Sequence, residues 1–288
     1  MTLTSHADTI KQLPSWLYKI GSQAWIDYEY PRHLFIETIA DCNLSCSYCP
    51  REQVRNHMDF SLFREIVDEA WRYGPRSFSL HLFGEPLLYP KIIDAITYIK
   101  LKSRRNTVLL TTNGTRLNSL TDEIIKANPD KVLWTWRTEA KFRPETKEKL
   151  RKWGKFCVRI IRELTPKEAF EEWKDWKLIE YRNLHNYGGD IDISQWNAPP
   201  VETRWPCYHL WFAPAVAWNG DILLCCADPH RKEVLGHYGK DTVSKVWQGG
   251  RIKAVREAHL RGSYEGICEK CDVWKNYKNI FFSFQHTG

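Results

Sequence analysis

The chain carries the stretch Asp41-Cys42-Asn43-Leu44-Ser45-Cys46-Ser47-Tyr48-Cys49-Pro50, in which three cysteines follow the spacing C-x3-C-x2-C. Cysteine thiolates are the ligands of iron–sulfur clusters, and a [4Fe–4S] cube has four irons. Three thiolates therefore leave one iron open to an outside ligand, which favours a reactive cluster. A structural zinc site usually closes with four protein ligands. No fourth Cys or His lies at the usual spacing after Cys49, so zinc and unligated thiols are kept only as alternatives.

Length and composition indicate a folded enzyme-sized protein. The 288 residues are 43% apolar, which is enough for one barrel-sized domain and a small second one. Residues 1–11 are polar and lack the pattern of a secretory leader, so we expect the nine cysteines to be reduced in a cytoplasmic protein. The longest apolar stretches, such as residues 210–218, are far shorter than the ~20 residues of a membrane span. We therefore expect no membrane partner.

The positive net charge of +7 does not by itself indicate a nucleic-acid partner. The basic stretches 100–105 and 147–155 fall on predicted helices with acidic residues close by, as on solvated helix faces. The 14 tryptophans could stack on bases, but most lie in periodic segments where burial is the simpler explanation. We do not expect nucleic acid to be the partner.

Strand-like runs alternate with amphipathic helices through the first two thirds of the chain. The strands are predicted at residues 33–39, 76–82, 107–111, 131–136, 156–162 and 177–181, and the helices at 61–73, 91–102, 120–127, 145–153 and from Pro166 onward. Strict alternation implies parallel strands with right-handed crossovers. The predicted fold class is α/β, an open partial (β/α)6 TIM-like barrel over residues 33–197. Residues 1–32 form an N-terminal extension, with an amphipathic helix at 13–26 expected to pack on the barrel.

A second concentration of thiols follows a linker at Pro199-Pro200 and defines a third region, residues 198–288. Asn219-Gly220 favours a type I′ hairpin turn between strands at 211–218 and 221–225. Residues 242–259 are predicted to be helical. The region is thus expected to be a small domain built from a β-hairpin and a helix.

Five cysteines of this region could form one closed metal site. They are Cys207, Cys225, Cys226, Cys268 and Cys271. Neighbouring side chains on a strand point to opposite faces, so only one of Cys225 and Cys226 should be a ligand. From the spacing alone, structural zinc fits about as well as an iron–sulfur cluster.

Four segments in order resemble the radical S-adenosylmethionine (SAM) enzymes over about residues 33–190. They are the cysteine motif with Tyr48 before its last Cys, Phe83-Gly84-Glu85-Pro86, Thr112-Asn113-Gly114 and Leu133-Trp134-Thr135-Trp136. The chain departs from the family's Gly-Gly-Glu-Pro element by having Phe83 at the first Gly. This change is expected to narrow the space beside the methionyl group while keeping the acidic ligand Glu85.

The C-terminal region resembles the twitch form of the auxiliary-cluster domain, a short relative of the SPASM domain. The resemblance implies one SAM-binding and one auxiliary [4Fe–4S] cluster. The implied ligands are Cys42, Cys46 and Cys49 for the first cluster and Cys207, Cys225, Cys268 and Cys271 for the second. The implied SAM-binding residues are Tyr48 beside adenine, Gly84 and Glu85 near the methionyl ammonium, Asn113 and Thr135 at the ribose or methionyl end, and Arg159 at the carboxylate.

Radical SAM chemistry is the activity that the resemblance implies. SAM would be cleaved reductively to a 5′-deoxyadenosyl radical, which takes a hydrogen atom from the substrate. An external reductant such as flavodoxin or ferredoxin would supply the electron. Size and the lack of a peptide-recognition domain favour a small polar metabolite such as a sugar or aminocyclitol. A peptide or protein maturase, and a non-catalytic iron–sulfur scaffold or electron carrier, are the alternatives.

Two outcomes for the substrate radical are open. Oxidation would send an electron to the auxiliary cluster and a proton to a base, for which the candidates are Arg137, Glu139, Arg162, Glu163 and His185. Epimerisation would instead return a hydrogen atom from a thiol, either Cys226 or Cys157. Cys157 lies inside a predicted strand and is equally well explained as a core residue.

Overall fold

Six parallel strands and the helices between them form the first part of the molecule. The computed structural model describes residues 27–194, 204 and 206–276; the predicted helix 13–26 and the linker Pro199-Pro200 lie outside this part of the chain. The strands are β1 (His33–Ile36), β2 (Ser77–Ser79), β3 (Thr107–Thr112), β4 (Lys131–Thr135), β5 (Phe156–Ile161) and β6 (Ile179–Arg182). The helices are α1 (Phe60–Trp71), α2 (Ile92–Lys102), α3 (Leu117–Ala127), α4 (Pro144–Trp153) and α5 (Lys167–Trp173). This confirms the α/β partial-barrel prediction.

Local sequence explains these elements. In α1, the buried residues Phe63, Ile66, Val67 and Ala70 recur at helical spacing and pack against the sheet. The Asp59 side chain accepts a hydrogen bond from the Ser61 amide and so caps the helix start. Each fully buried large side chain contributes roughly 1.5–3 kcal/mol. The helices therefore form because their apolar faces cover the sheet.

Three further strands extend the same sheet instead of forming a separate one. They are β7 (Ala215–Val216), β8 (Asp221–Leu223) and β9 (Val234–His237), and the strand order is β6-β5-β4-β3-β2-β1-β7-β8-β9. Strand β7 pairs parallel with β1, and β8 and β9 add antiparallel. The cysteine-rich region is thus attached directly beside the strand that leads into the C-x3-C-x2-C loop.

The predicted strand at 211–218 is wrong in its first half. Residues His209–Phe212 form a short helix, α6, and only Ala215–Val216 pair as a strand. The buried Arg256 side chain donates to the Leu210 carbonyl at 2.8 Å, which holds the helical turn in place. Pro214 has no amide hydrogen and cannot continue α6, so the strand begins only after it.

The hairpin between β7 and β8 is present, but its turn is not type I′. That turn type needs two residues with positive φ, and only Gly220, at φ 94°, has it here. The Gly220 amide donates to the Ala217 carbonyl at 2.9 Å, and the Asn219 side chain accepts from the Asp221 amide at 3.1 Å. Asparagine stabilises the turn by this side-chain contact instead of by adopting a left-handed backbone.

The predicted helix at 242–259 is two helices. They are α7 (Val243–Trp247) and α8 (Gly250–Leu260), separated at Gly249, which has the extended conformation φ −70°, ψ 165°. Two consecutive glycines favour the break because glycine costs ~1 kcal/mol relative to alanine inside a helix.

The basic stretches lie on α2 and α4, as predicted, and their lysines are paired. Lys100 lies 2.9 Å from Asp130, Lys149 lies 2.7 Å from Asp122, and Lys147 lies 2.6 Å from the Glu172 carboxylate. These contacts make them helix faces with local counter-charges. Among the residues that the structure describes, no helix is long and apolar enough to cross a membrane.

Buried and partly buried carboxylates join the barrel to the cysteine-rich region. Glu69 on α1 accepts from the Val243 and Ser244 amides at 3.2 and 2.9 Å. Asp272 accepts from the Asn186 amide at 2.9 Å, and the Asp272 amide donates back to the Asn186 side chain at 3.1 Å. These contacts fix the loop after β6 against the segment that carries the last two cysteines.

Candidate active site

A cavity of about 300 Å³ opens at the carboxyl ends of the barrel strands. Catalytic sites of barrel enzymes lie at this end. The cavity brings together most of the residues predicted from the sequence. The predicted residues that line it are Cys42, Cys46, Tyr48, Cys49, Gly84, Glu85, Asn113, Thr135, Arg137, Arg159 and Cys226.

The three cysteines of the loop after β1 lie at one side of this cavity with free thiols. Arg51 holds the loop by donating to the Cys42 and Leu44 carbonyls at 3.2 and 3.1 Å. The Cys49 amide donates to the Cys46 carbonyl at 3.0 Å, which closes the tight turn between the last two cysteines. The backbone is thus fixed by contacts that leave all three sulfur atoms available as ligands.

Gly84 has a packing role in addition to lining the cavity. A Cβ at this position would lie 2.0 Å from the Ile39 carbonyl oxygen and 2.9 Å from that of Asp41. The next amide, that of Glu85, donates to the Asp41 carbonyl at 2.8 Å. Only glycine allows the two loops to approach this closely, so Gly84 sets the distance between Glu85 and the cysteine loop.

Glu85 is a buried carboxylate held in a fixed orientation. It is 2% exposed, and it accepts from the Thr112 hydroxyl at 2.6 Å, the Asn113 amide at 2.6 Å and the Leu87 amide at 3.0 Å. Burial raises its pKa to about 7, because the hydrogen bonds only partly offset the loss of water. Sequence reasoning missed the positioning role of Thr112, although it directly precedes Asn113 at a strand end.

The remaining predicted SAM contacts are arranged around the same loop. The Asn113 side-chain amide donates to Asn43 at 3.0 Å and lies 3.7 Å from the Cys42 sulfur. The Arg137 guanidinium lies over the Tyr48 ring, 4.9 Å from its centre, so one face of Tyr48 is already in contact with a cation. Thr135 is buried at the end of β4 and lines the cavity.

Arg159 does not point a free guanidinium into the cavity. Its Nε lies 3.4 Å from one oxygen of Glu180, and its Nη2 donates to the other oxygen at 3.4 Å. Arg159 lines the cavity with an acidic partner on β6, and its binding of the SAM carboxylate stays a prediction.

The inner wall of the cavity contains polar residues that sequence reasoning largely missed. They are His33, His81, Glu180, Arg182, Tyr187, Tyr208 and His209, together with His185, which was named as a base candidate. Burial lowers the pKa of His33, His81 and His209 to about 3 and that of His185 to about 4. All four imidazoles are neutral at physiological pH. Glu180 and Arg182 could have been found from the sequence, since alternate residues of a strand share one face.

Glu163 is corrected as a catalytic candidate. Its carboxylate accepts from the Leu184 amide at 3.1 Å and does not line the cavity. Glu139 and Arg162 are also outside the cavity lining, and Cys157 is a 2%-exposed core residue of β5. On β5, Arg159 and Ile161 line the cavity, so strand alternation places the adjacent Arg162 on the other face. Cys157 shares the face of Arg159 but lies near the start of the strand, away from the carboxyl end where the cavity opens.

The predicted auxiliary ligands converge on a second cavity. Cys207, Cys225, Cys268 and Cys271 line it together with Arg204 and His259. Arg204 donates to the Cys268 carbonyl and, at 2.7 Å, to the Glu269 carbonyl. His259 accepts from the Cys207 amide at Nδ1 (3.3 Å), so its hydrogen is on Nε2. That Nε2 is buried and has no hydrogen-bond partner among the described residues. Such a donor is expected where a bound cofactor accepts the hydrogen bond.

Cys226 is separated from the four cysteines of the auxiliary cavity. It lines the large cavity instead, with its sulfur 3.9 Å from Nε2 of His209. The prediction that only one of the adjacent pair faces the auxiliary ligands agrees with this arrangement, with Cys225 as that residue. Three residues, His209, Ala227 and Val273, line both cavities, so the wall between them is one residue thick.

The thiols fit clusters better than a single metal ion. Among the described residues, no group of three or more His, Cys, Asp or Glu side chains is arranged to hold one ion. A cube of four irons spaces its thiolates further apart than one zinc does, and it also offers sulfur atoms as hydrogen-bond acceptors. The unpartnered Nε2 of His259 and the side-chain amide of Asn113 beside Cys42 suit such acceptors.

Comparisons with known proteins agree with this geometry. The family profile of the Radical SAM superfamily matches residues 36–134, and that of the SPASM iron–sulfur cluster-binding domain matches residues 207–272. The S-adenosyl-L-methionine-dependent 2-deoxy-scyllo-inosamine dehydrogenase of Niallia circulans is 23% identical over 259 residues, which cover 85% of this chain and 92% of the relative.

Two solved structures show the same fold. The structure of BtrN with AdoMet and 2-DOIA has a TM-score of 0.62 at 20% identity and covers 84% of this chain and 92% of its own. The structure of Streptococcus suis SuiB with its precursor peptide SuiA has a TM-score of 0.62 at 17% identity, and the match covers 88% of this chain and 73% of SuiB. The chain therefore belongs to the radical SAM superfamily and carries a SPASM-type domain. SAM and [4Fe–4S] clusters are its cofactors.

Proposed function

We propose that this radical SAM enzyme oxidises a small polar metabolite, such as a sugar or aminocyclitol, by removing two hydrogen atoms. The observation that carries the proposal is the one-residue wall shared by the substrate cavity and the auxiliary cavity, formed by His209, Ala227 and Val273. When bound, SAM and the two clusters supply the hydrogen-abstracting radical and an acceptor for the second electron. The short separation supports electron transfer out of the substrate cavity.

The residues of the chain have distinct tasks in this proposal. Cys42, Cys46 and Cys49 hold the first cluster, and Glu85 and Asn113 orient SAM beside it. Cys207, Cys225, Cys268 and Cys271 hold the auxiliary cluster. An external reductant such as flavodoxin or ferredoxin supplies the starting electron.

Neutral imidazoles are the proposed proton acceptors for oxidation. His185 and His209 line the cavity with their pKa values lowered by burial, so each is a neutral imidazole at physiological pH. His81 is excluded because its Nδ1 already accepts from the Thr111 amide at 3.1 Å. Arg137 stays close to Tyr48 and the cysteine loop, where it would position SAM more readily than act as a base. A weakly basic imidazole suffices if the substrate radical gives up its electron as the proton leaves, because the protonated carbonyl product of that one-electron oxidation is a strong acid.

The cavity supports a small substrate over a peptide. Phe83 lines it and packs edge-on against Tyr187 at 5.6 Å, which closes space that a glycine would leave open. The similarity to SuiB, at 17% identity, concerns the fold alone. A peptide substrate is the second candidate for that reason.

Epimerisation is the alternative reaction that one specific observation favours. Cys226 lines the substrate cavity and is separate from the four cysteines of the auxiliary cavity. A thiol in that place could return a hydrogen atom to the substrate radical from the side opposite SAM.

Product analysis tests the proposal. Reconstituted protein, SAM and dithionite would be incubated anaerobically in deuterated water with a panel of polyols and amino-polyols that includes 2-deoxy-scyllo-inosamine. Oxidation predicts a product that has lost two hydrogen atoms and that still forms with Cys226→Ala. A product that is an isomer of the substrate with one hydrogen replaced by deuterium, and that does not form with Cys226→Ala, would overturn oxidation in favour of epimerisation.

A further inference from the structure

Arg182 is a cationic side chain in the substrate cavity that shares its acidic neighbour, Glu180, with Arg159. It is the last residue of β6 and lines the inner part of the cavity. Among the described residues, no ion pair or side-chain hydrogen bond engages its guanidinium. An arginine in this position is charged at any physiological pH.

The acids that line the cavity are already used. They are Glu85 and Glu180 among the described residues. Glu85 accepts three hydrogen bonds from its own side of the cavity, and Glu180 pairs with Arg159 at 3.4 Å. The inner half of the cavity therefore contains two arginines and one carboxylate, with one positive charge in excess.

The imidazoles and the phenol near Arg182 carry no charge. His81 and His185 are neutral because burial lowers their pKa values. The phenol of Tyr187 stays protonated because burial raises its pKa. Burial disfavours the Arg182 cation, but nearby groups, Tyr187 and Glu180 first among them, offset this, so its pKa is raised. Because Glu180 is paired with Arg159, an entering oxyanion would give the Arg182 guanidinium a hydrogen-bonded partner of its own.

We propose that the substrate carries an oxyanion, a carboxylate or a phosphate, and that Arg182 binds it. Guanidinium groups bind both oxyanions through two parallel hydrogen bonds. The inference deepens the proposed function by naming the substrate class of the same cavity, and it rests on that function. It also separates this chain from the dehydrogenase of Niallia circulans, whose named substrate is an amine.

Two other anions are less well placed for Arg182. The carboxylate of SAM belongs on the open iron at the cysteine loop after β1, whereas the groups that act on Arg182 are Tyr187, Glu180, Tyr208 and Cys226. The auxiliary cluster has its own cation, Arg204, which binds the Cys268 carbonyl beside it. If Arg182 bound the SAM carboxylate, replacing it would change the affinity for SAM. If it acted on the auxiliary cluster, replacing it would change the reduction potential of that cluster.

Binding measurements test the proposal without knowledge of the natural substrate. Reconstituted, SAM-loaded protein would be titrated calorimetrically with glucuronate, glucose 6-phosphate, acetate and inorganic phosphate, with glucose as the neutral counterpart. At least one anionic probe should bind about tenfold or more tightly than glucose. Arg182→Gln should abolish that preference, and Arg182→Lys should retain part of it.

The matched control is Arg162→Gln. Arg162 is exposed, lies over the Tyr181 ring at 5.5 Å and is outside the cavity, so its loss should leave the preference unchanged. Glucuronate against glucose 6-phosphate distinguishes a carboxylate from a phosphate substrate.

Three results would overturn the proposal. The first is that the wild type binds no anionic probe more tightly than glucose. The second is that Arg182→Gln keeps the preference for anions. The third is that an Arg182 variant changes the affinity for SAM or the reduction potential of the auxiliary cluster while the preference for anions is unchanged. Formation of 5′-deoxyadenosine is followed separately. Anion binding without that product would refute the proposed function alone, whereas the product without an anion preference would refute only the inference about Arg182.

Discussion

Replacing Gly84 with alanine tests whether backbone contact between two loops builds the site. The added Cβ would lie 2.0 Å from the Ile39 carbonyl oxygen, 2.7 Å from the Ile39 carbonyl carbon and 2.9 Å from the Asp41 carbonyl oxygen. All three are backbone atoms, so no side chain can rotate away. The loops must separate by about 1.4 Å to bring the 2.0 Å approach to the 3.4 Å at which ordinary contact begins.

The cost of this change follows from two contributions. Overpacking of this kind costs about 1–3 kcal/mol, and weakening the bond from the Glu85 amide to the Asp41 carbonyl, 2.8 Å long, costs about 1 kcal/mol more. We expect a total of about 3 kcal/mol, which corresponds to a fall in melting temperature of roughly 5–10 °C. Because Asp41 directly precedes Cys42, the bound iron should fall as well.

The assay combines thermal unfolding of the reconstituted protein with iron content per chain. Gly250→Ala is the matched control, since a Cβ at the first residue of α8 meets nothing within 4 Å and Gly250 has no positive φ. It should leave stability unchanged or slightly raise it. If Gly84→Ala behaves like Gly250→Ala in both measurements, the close approach does not build the site.

Three further predictions concern individual side chains. SAM affinity should fall as pH drops below about 7, because burial raises the pKa of Glu85 to about 7 and only the ionised carboxylate attracts the methionyl ammonium. Calorimetry should find no such pH dependence in Glu85→Gln. His259→Phe should lower the reduction potential of the auxiliary cluster, because it removes the unpartnered Nε2 donor. The potential is measured in a titration followed by electron paramagnetic resonance, and an unchanged value would mean that Nε2 does not contact the cluster. Cys271→Ala should abolish substrate turnover but keep some uncoupled SAM cleavage in product assays, and equal loss of both would count against a separate auxiliary role.

The barrel and the cysteine loop were predictable because their signals are local. Each strand and helix of the barrel has its own apolar periodicity, and the C-x3-C-x2-C spacing lies within one loop. The position of Glu85 and Asn113 at adjacent strand ends follows from parallel order. These features need no knowledge of which distant segments meet.

The errors lie where distant contacts decide the outcome. The helical turn at His209–Phe212 depends on Arg256, which is 46 residues beyond Leu210. Glu163 follows β5, but its carboxylate accepts from the amide of Leu184, 21 residues along the chain, and it does not line the cavity. A sequence pattern does not contain these contacts.

The inner wall of the cavity was the most difficult part to predict. It combines strand ends with residues such as Tyr208 and His209 that come from beyond the barrel. Arg182 becomes a candidate anion-binding residue only because Glu180 is paired with Arg159. Cys225 and Cys226 likewise differ in function only because their side chains enter different cavities.

The most direct test of the account is reductive cleavage of SAM by the reconstituted protein. Protein loaded anaerobically with iron and sulfide would be given dithionite and SAM, and 5′-deoxyadenosine would be quantified by mass spectrometry beside a Cys46→Ala control. The account predicts 5′-deoxyadenosine with the intact chain and none with the control. Cluster-loaded protein that gives no product with the substrate panel present, and whose cluster spectrum SAM does not change, would contradict it and indicate an iron–sulfur scaffold instead.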